Sequence, residues 1–148
     1  MQLNFPTYNF KVKKVENRNY IFDIIRKKYV LLTPEEWVRQ HLVHYLVDHC
    51  GCTPSLMAVE KGLTVNGLQK RFDVLVYDNT GEAILLAECK APDIQLSEST
   101  FLQAAVYNKS LGVSRLVITN GLDLRYCQYS NNFTGYEITN DIPKYPFT

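Results

Sequence analysis

The sequence predicts an α/β (α+β) domain, a mixed central β-sheet flanked by helices, and three observations predict it. Two stretches have helical periodicity between capping residues, several short apolar and β-branched stretches lie between turn residues, and the elements follow in the order helix, three strands, helix, two or three strands. At 148 residues with 46% hydrophobic and 12% aromatic content, the chain can close one core, so a single domain over residues 1–148 is expected. It divides into an N-terminal arm and hairpin over 1–31, a core over 32–129 and a C-terminal extension over 130–148.

The opening residues, with Pro6 and several asparagines around the alternating Phe10-Lys11-Val12-Lys13, read as an arm or edge strand. Tyr20 to Ile25 and Tyr29 to Leu32 are apolar and β-branched around Arg26-Lys27-Lys28, which suggests a hairpin. Thr33-Pro34-Glu35-Glu36 then opens a helix: Thr33 caps, Pro34 suits the first turn and Glu36 has capping-box spacing. Val38, Leu42, Tyr45, Leu46 and His49 keep the helical period as far as Gly51.

Ser55 to Leu63, Phe72 to Tyr77 and Ala83 to Cys89 read as strands, broken by turn chemistry at Asn66-Gly67 and Asp78-Asn79-Thr80-Gly81, the last two forming a hairpin. Ser97 or Ser99 caps a second helix through Phe101, Leu102, Ala105, Val106 and Leu111, with Gly112 as its stop. Arg115 to Thr119, Leu122 to Tyr129 and Gly135 to Ile138 complete the strands.

Composition narrows the function classes. No apolar run approaches the roughly 20 residues of a membrane span, no signal segment follows Met1, and four irregularly spaced cysteines do not form a disulfide framework. A soluble, cytoplasmic protein with no membrane partner is expected. Net charge is only +1 but polarised: residues 1–74 carry 11 Lys/Arg against 7 Asp/Glu, residues 75–148 carry 5 against 8. Lys11, Lys13, Lys14, Arg18, Arg26, Lys27 and Lys28 form either a solvated, aggregation-resistant edge or a face that tracks phosphates. His41, His44, His49, Cys50 and Cys52 lack zinc-site spacing, and helix packing is the simpler reading.

The chemistry sits at the ends of the central hairpin. Asp73 opens an apolar strand, and Glu88 and Lys90 stand two apart at the end of the next, on one face by period-two alternation. Pairing through the Asp78–Gly81 turn, with a bulge or small offset, brings Asp73 across from Glu88. Carboxylates so placed suit Mg²⁺, which would polarise a phosphodiester oxygen and acidify a water that Lys90 orients. The plain alternative is a surface salt bridge between strand ends. Arg71 and Lys70 beside the site could hold phosphates or be solvated charges, and Glu60 reads as a strand-end surface acid.

Arg71-Phe72-Asp73, Glu88-Cys89-Lys90-Ala91-Pro92, Gln103-Ala104-Ala105-x-Tyr107 and Ile118-Thr119-Asn120-Gly121, in that order, resemble the N-terminal nuclease domain of type I restriction enzyme R (HsdR) subunits, within the PD-(D/E)XK nuclease superfamily. The resemblance spans about Leu32 to Tyr129 and implies a restriction-endonuclease-like core and a Mg²⁺- or Mn²⁺-dependent DNA endonuclease. By residue, it implies Asp73 and Glu88 as metal ligands with the Cys89 backbone carbonyl, Lys90 as the catalytic lysine and Gln103 as a supporting catalytic group. It adds Glu36 as a further metal-binding acid on the first core helix, although its capping position also accounts for it, and Tyr107 as a weaker nucleic-acid contact. Phe72 stands where the superfamily's motif has proline. The chain has no G-x-x-x-x-G-K-[ST] phosphate loop, so a domain without a motor is expected, targeted by a partner protein, by homodimerisation or by substrate structure. The competing reading is a non-catalytic nucleic-acid- or protein-binding module that retains the fold.

Overall fold

The computed structural model describes residues 2–65 and 67–148; the side chains of Val65, Leu68, Tyr107 and Ser110 lie outside the described set, as does Asn66 of the expected Asn66-Gly67 turn. Strands β1 (Val12–Val15), β2 (Arg18–Asp23) and β3 (Lys28–Leu31) form a three-stranded antiparallel sheet in that order. Helix α1 (Pro34–Asp48) follows, then β4 (Met57–Val65), β5 (Leu68–Tyr77), β6 (Ala83–Cys89), α2 (Glu98–Leu111), β7 (Arg115–Thr119), β8 (Leu124–Tyr129) and β9 (Tyr136–Thr139). The last six strands make one sheet in sequence order, antiparallel throughout except where β6 and β7 run parallel across the α2 crossover. This is the predicted mixed sheet with helices packed on it.

Alternation along the strands supplies two cores, one on each face of the large sheet. Leu85, Ala87 and Cys89 of β6 and Val117 of β7 pack with Val38, Leu42 and Leu46 of α1. Leu86 of β6 and Leu116 and Ile118 of β7 pack with Phe101, Ala105 and Leu111 of α2. The C-terminal segment closes the α1 side: Ile142 and Phe147 are buried there, so 130–148 completes the core as well as extending it.

The caps follow the sequence with two differences. Thr33 Oγ1 accepts the Glu36 N–H at 3.0 Å, but Glu36 turns its carboxylate away from the cap, so the box is half formed. Ser97 caps α2 by accepting the Thr100 N–H at 3.1 Å, while Ser99 lies inside the helix, and Gly112 ends it in the left-handed region at φ 74°.

The N-terminal arm is more ordered than its composition predicts. Leu3 is buried, and Phe5, Tyr8 and Phe10 pack on the Trp37, His41, His44 and Tyr45 side of α1, so that α1 is covered on most of its circumference. His41 and His44 are drawn below the usual imidazole pKa, first by burial, which fits their role in this aromatic packing.

Candidate active site

The site is built on the β4–β5–β6 ladder and the first two turns of α1, with Lys90 just past β6 and Arg26 entering from the β2–β3 turn. Val74 of β5 pairs with Ala87 of β6, so the next positions outward are Asp73 and Glu88, as the hairpin register predicts; the expected offset falls between Val76 and Tyr77. Asp73 Oδ2 accepts the Cys89 N–H at 2.7 Å and ties the acid to the peptide between Glu88 and Lys90. The Lys90 N–H donates to the Thr119 carbonyl at 2.9 Å, which fixes the strand end from the β7 side.

Alternation along β5 breaks at Asp73. Phe72 packs in the α2-side core and Val74 in the α1-side core, although residues two apart in a regular strand share a face. Opposite Asp73 on β4, between the Val59–Val74 and Lys61–Phe72 pairs, Glu60 has φ 54°, the left-handed region that costs a non-glycine residue about 1–2 kcal/mol. The kink turns Asp73 toward α1, where Arg39 Nη1 donates to Asp73 Oδ1 at 3.0 Å.

Arg39 is the hub of a buried network that sequence reading missed. Its Nε and Nη2 grip Glu36 at 2.9 and 2.6 Å, and Nη2 reaches Glu60 at 3.3 Å. Arg26, in the β2–β3 turn, donates to Asp23 at 2.7 Å, Glu36 at 2.9 Å and Glu60 at 3.1 Å, and Gln40 Nε2 bridges Asp23 and Glu36. Burial pushes the Glu36 and Asp23 carboxyls up, but hydrogen bonds from Arg39, Gln40 and Arg26 around Glu36, and from Arg26, Ile25 and Gln40 around Asp23, outweigh it and leave both below their usual values. Asp73 goes the other way. Burial raises it more than the Cys89 N–H and Arg39 lower it, and the charges of Glu35 and Glu88 add to the rise.

The predicted residues therefore divide. Asp73 does not open its strand as expected, because β5 begins five residues earlier at Leu68; it stands inside β5, across from Glu88 near the end of β6, and the Glu88 charge is felt at Asp73, while Lys90 follows just past that end. Glu88 is half-buried and held by Lys70 of β5 at 2.7 Å, so Lys70 answers a carboxylate in place of a phosphate. Lys90 is half-buried and makes no ion pair among the described residues. Glu36 has both oxygens engaged by Arg26, Arg39 and Gln40, and the charge of its exposed neighbour Glu35 reaches Asp73. Glu60 is a surface acid as expected, but it lies inside β4 rather than at a strand end and is paired with Arg26 and Arg39. Arg71 and Gln103 are exposed, and no described contact joins Gln103 to Asp73, Glu88 or Lys90; the Tyr107 side chain lies outside the described set. Thr119-Asn120-Gly121 is a brace: Asn120 Nδ2 donates to the Ile94 carbonyl at 2.8 Å and its Oδ1 accepts from the Leu122 and Asp123 amides, tying the segment after Lys90 to the β7–β8 turn.

The spacing Glu36-x-x-Arg39-Gln40, with Glu36 three and four residues before its partners on one helix face, was the available signal for this network. A sequence could not reveal that Arg26 and Glu60 complete it. Beside the site, Leu32, Thr33, Pro34, Trp37, Pro92 and Asp93 line an open groove of about 580 Å³.

Among the described residues no group of three or more His, Cys, Asp or Glu side chains stands ready to hold a metal ion. The oxygen donors at the strand end, two carboxylates and the Cys89 carbonyl, fit a hard divalent cation in chemistry. Such an ion would compete with Arg39 for Asp73 and with Lys70 for Glu88.

No curated protein matches the chain. Among solved structures, a fragment described as an HsdR subunit of a type I restriction enzyme from Vibrio vulnificus YJ016 aligns over 78% of this chain with TM-score 0.55 and 19% identity, and this chain spans 24% of it. A protein from Anabaena variabilis ATCC 29413 described as a nuclease belonging to DUF820 aligns over 86% of this chain and 75% of its own length with TM-score 0.47 and 11% identity. The first of these likenesses supports a restriction-endonuclease-like fold. The family described as type I restriction enzyme R protein N terminus matches residues 34–143, most of the chain, and this protein belongs to that family.

Proposed function

We propose that the domain is a metal-dependent DNA endonuclease whose reaction is centred on Asp73, Glu88 and Lys90. The observation that carries this reading is the hydrogen bond from the Cys89 N–H to Asp73 Oδ2, because it locks one carboxylate against the peptide that joins the second carboxylate to the lysine. Membership of a type I restriction R-subunit family supports phosphodiester DNA as the substrate. Asp73, Glu88 and the Cys89 carbonyl would hold Mg²⁺ or Mn²⁺. When bound, such an ion supplies Lewis-acid polarisation of a phosphodiester oxygen and a more acidic water.

The chain's own residues do the rest. Arg39 and the Cys89 N–H orient Asp73, and the network behind Arg39 stops that orientation from relaxing. Lys90, with its backbone pinned to Thr119 and no carboxylate partner among the described residues, is free to neutralise charge growing on phosphorus and to position the attacking water. Water adds to phosphorus, the bond from phosphorus to the leaving sugar oxygen breaks, and that oxygen takes a proton.

The test is a nicking and linearisation assay on supercoiled plasmid and single-stranded DNA with Mg²⁺ or Mn²⁺. Cleavage by wild type that falls at least about a hundredfold in Lys90→Ala and in Asp73→Asn supports the assignment. Absence of metal-dependent cleavage by folded wild type overturns it. A second reading, a non-catalytic binding module that retains the fold, is favoured by one observation: both carboxylates already have cationic partners, Arg39 and Lys70. Metal binding separates the two readings.

A further inference from the structure

The three-stranded sheet lies outside the residues matched by the family, which begin at 34, and the site chemistry does not account for its outer face. Ile21 and Asp23 are fully buried, so their face of the sheet is the inward one. Alternation puts Tyr20, Phe22 and Arg18 of β2 on the other side, and the register sets Lys13 opposite Tyr20, Val15 opposite Arg18, and Tyr29 of β3 opposite Phe22. The Lys11 amino group lies 5.6 Å from the centre of the Phe22 ring and that of Lys13 lies 4.0 Å from the centre of Tyr29, while the two rings pack edge to face at 5.3 Å.

Two features distinguish this face from a merely solvated edge. Lys11, Lys13 and Arg18 on this face are exposed, as are Lys27 in the turn and Lys14 and Lys28 on the opposite side, and among the described residues none has an ion-pair partner; the half-buried Arg26 is the exception and takes Asp23, Glu36 and Glu60. Charge alone would protect an edge from aggregation, yet here an aromatic row runs between the cations on the open side. Tyr29 and Leu31 are 37% and 43% exposed there, apolar surface that contributes little to either core. Cations interleaved with accessible rings are what a nucleic-acid strand with unpaired bases needs, phosphates going to the cations and bases to the rings.

We propose that the outer face of β1–β3, through Lys11, Lys13, Arg18, Tyr20, Phe22 and Tyr29, is a binding platform for single-stranded nucleic acid. Salt-sensitive attraction brings the phosphates in, and the lysines now lying over Phe22 and Tyr29 swing to them, freeing the rings for bases. The chain leaves this face at Leu31 and passes directly through Leu32 and Thr33 into the groove beside Pro92, so a strand held here is delivered toward the Lys90 end of the large sheet.

The experiment is fluorescence anisotropy of a labelled oligothymidylate and a matched duplex, titrated with the full chain at several salt concentrations without divalent metal. Wild type is expected to bind the single strand more tightly than the duplex. The triple variant Lys11→Glu/Lys13→Glu/Arg18→Glu is expected to weaken binding at least about tenfold and to flatten the salt dependence by about one power of salt per lost contact. Tyr29→Ala should weaken it about tenfold at nearly unchanged salt dependence, and Lys109→Glu on α2 should leave it alone. These side chains are exposed, so unchanged melting temperatures exclude unfolding as the cause. No binding by wild type, equal binding by the triple variant, duplex preference with Tyr29→Ala at wild-type affinity, or capture of phosphatidylserine vesicles in place of the oligonucleotide overturns the proposal. Because neither metal nor cleavage enters the measurement, it can fail while plasmid cleavage succeeds, and the reverse.

Discussion

The charges around Arg39 and those on the outer face of β1–β3 are the same kinds of side chain in opposite situations. Around Arg39, two arginines and four acids, Asp23, Glu36, Glu60 and Asp73, answer one another at hydrogen-bond distance, with Asp23, Glu36 and Arg39 buried, Arg26 and Asp73 half-buried and Glu60 exposed. On the outer sheet face the cations are exposed and none is ion-paired among the described residues. A buried charge must be paired or it unfolds the region, so the first set is fixed by folding itself. An exposed cation has no such obligation, so its neighbours reflect what it meets outside the fold. Pairing therefore distinguishes the charges that hold α1 against the large sheet from the exposed cations of the outer sheet face.

Breaking the buried set should have the largest effect. Arg39→Ala leaves Glu36 and Asp73 without their main cation and is expected to lower stability by about 3–5 kcal/mol, read by denaturant melts. Leu86→Ala, a fully packed β6 residue on the α2 side, is expected to cost about 2–5 kcal/mol by cavity formation and to leave the arginine network intact. Arg39→Ala should also change the pH dependence of stability, and Leu86→Ala should not.

The direction of that dependence follows from the carboxyls. Asp23 and Glu36 have folded values below their unfolded ones, so their stabilisation is complete above the ordinary carboxyl range and is lost as pH falls through the lowered values. Asp73, held above its usual value, works against folding at neutral pH, and that penalty shrinks in acid. Asp78 is also lowered, first by its hydrogen bond from Thr80, so three lowered groups against one raised group predict net loss of stability below about pH 4, checked by melting temperature across pH 2.5–7 (roughly the carboxyl range and above). Smaller still is Thr33→Ala, which removes the α1 cap at a cost of about 1 kcal/mol. The triple charge reversal on the outer sheet should be smallest of all in stability, within about 0.5 kcal/mol for each exposed position, although it is expected to dominate nucleic-acid binding.

How much could be read without coordinates divides along the same line. The order of elements, both helices and the β5–β6 register that sets Asp73 across from Glu88 follow from local pattern, because period, caps and turns lie within a few residues of one another. The arginine network does not, because Arg26, Arg39, Glu60 and Asp73 meet only through a helix, a sheet and a strained strand residue far apart in sequence. Glu60 reads as a surface acid on a regular strand, and nothing adjacent announces its positive φ. The N-terminal arm looks loose by composition because its asparagines hide the spacing of Leu3, Phe5, Tyr8 and Phe10, which cover α1.

Asp73 and Glu88 are proposed to exchange their cationic partners for a divalent ion, and calorimetric titration of Mn²⁺ into the folded protein tests this most directly. One site in wild type, lost in both Asp73→Asn and Glu88→Gln while their folds persist, is the predicted result. No binding by wild type, or binding that survives both substitutions, would contradict the account.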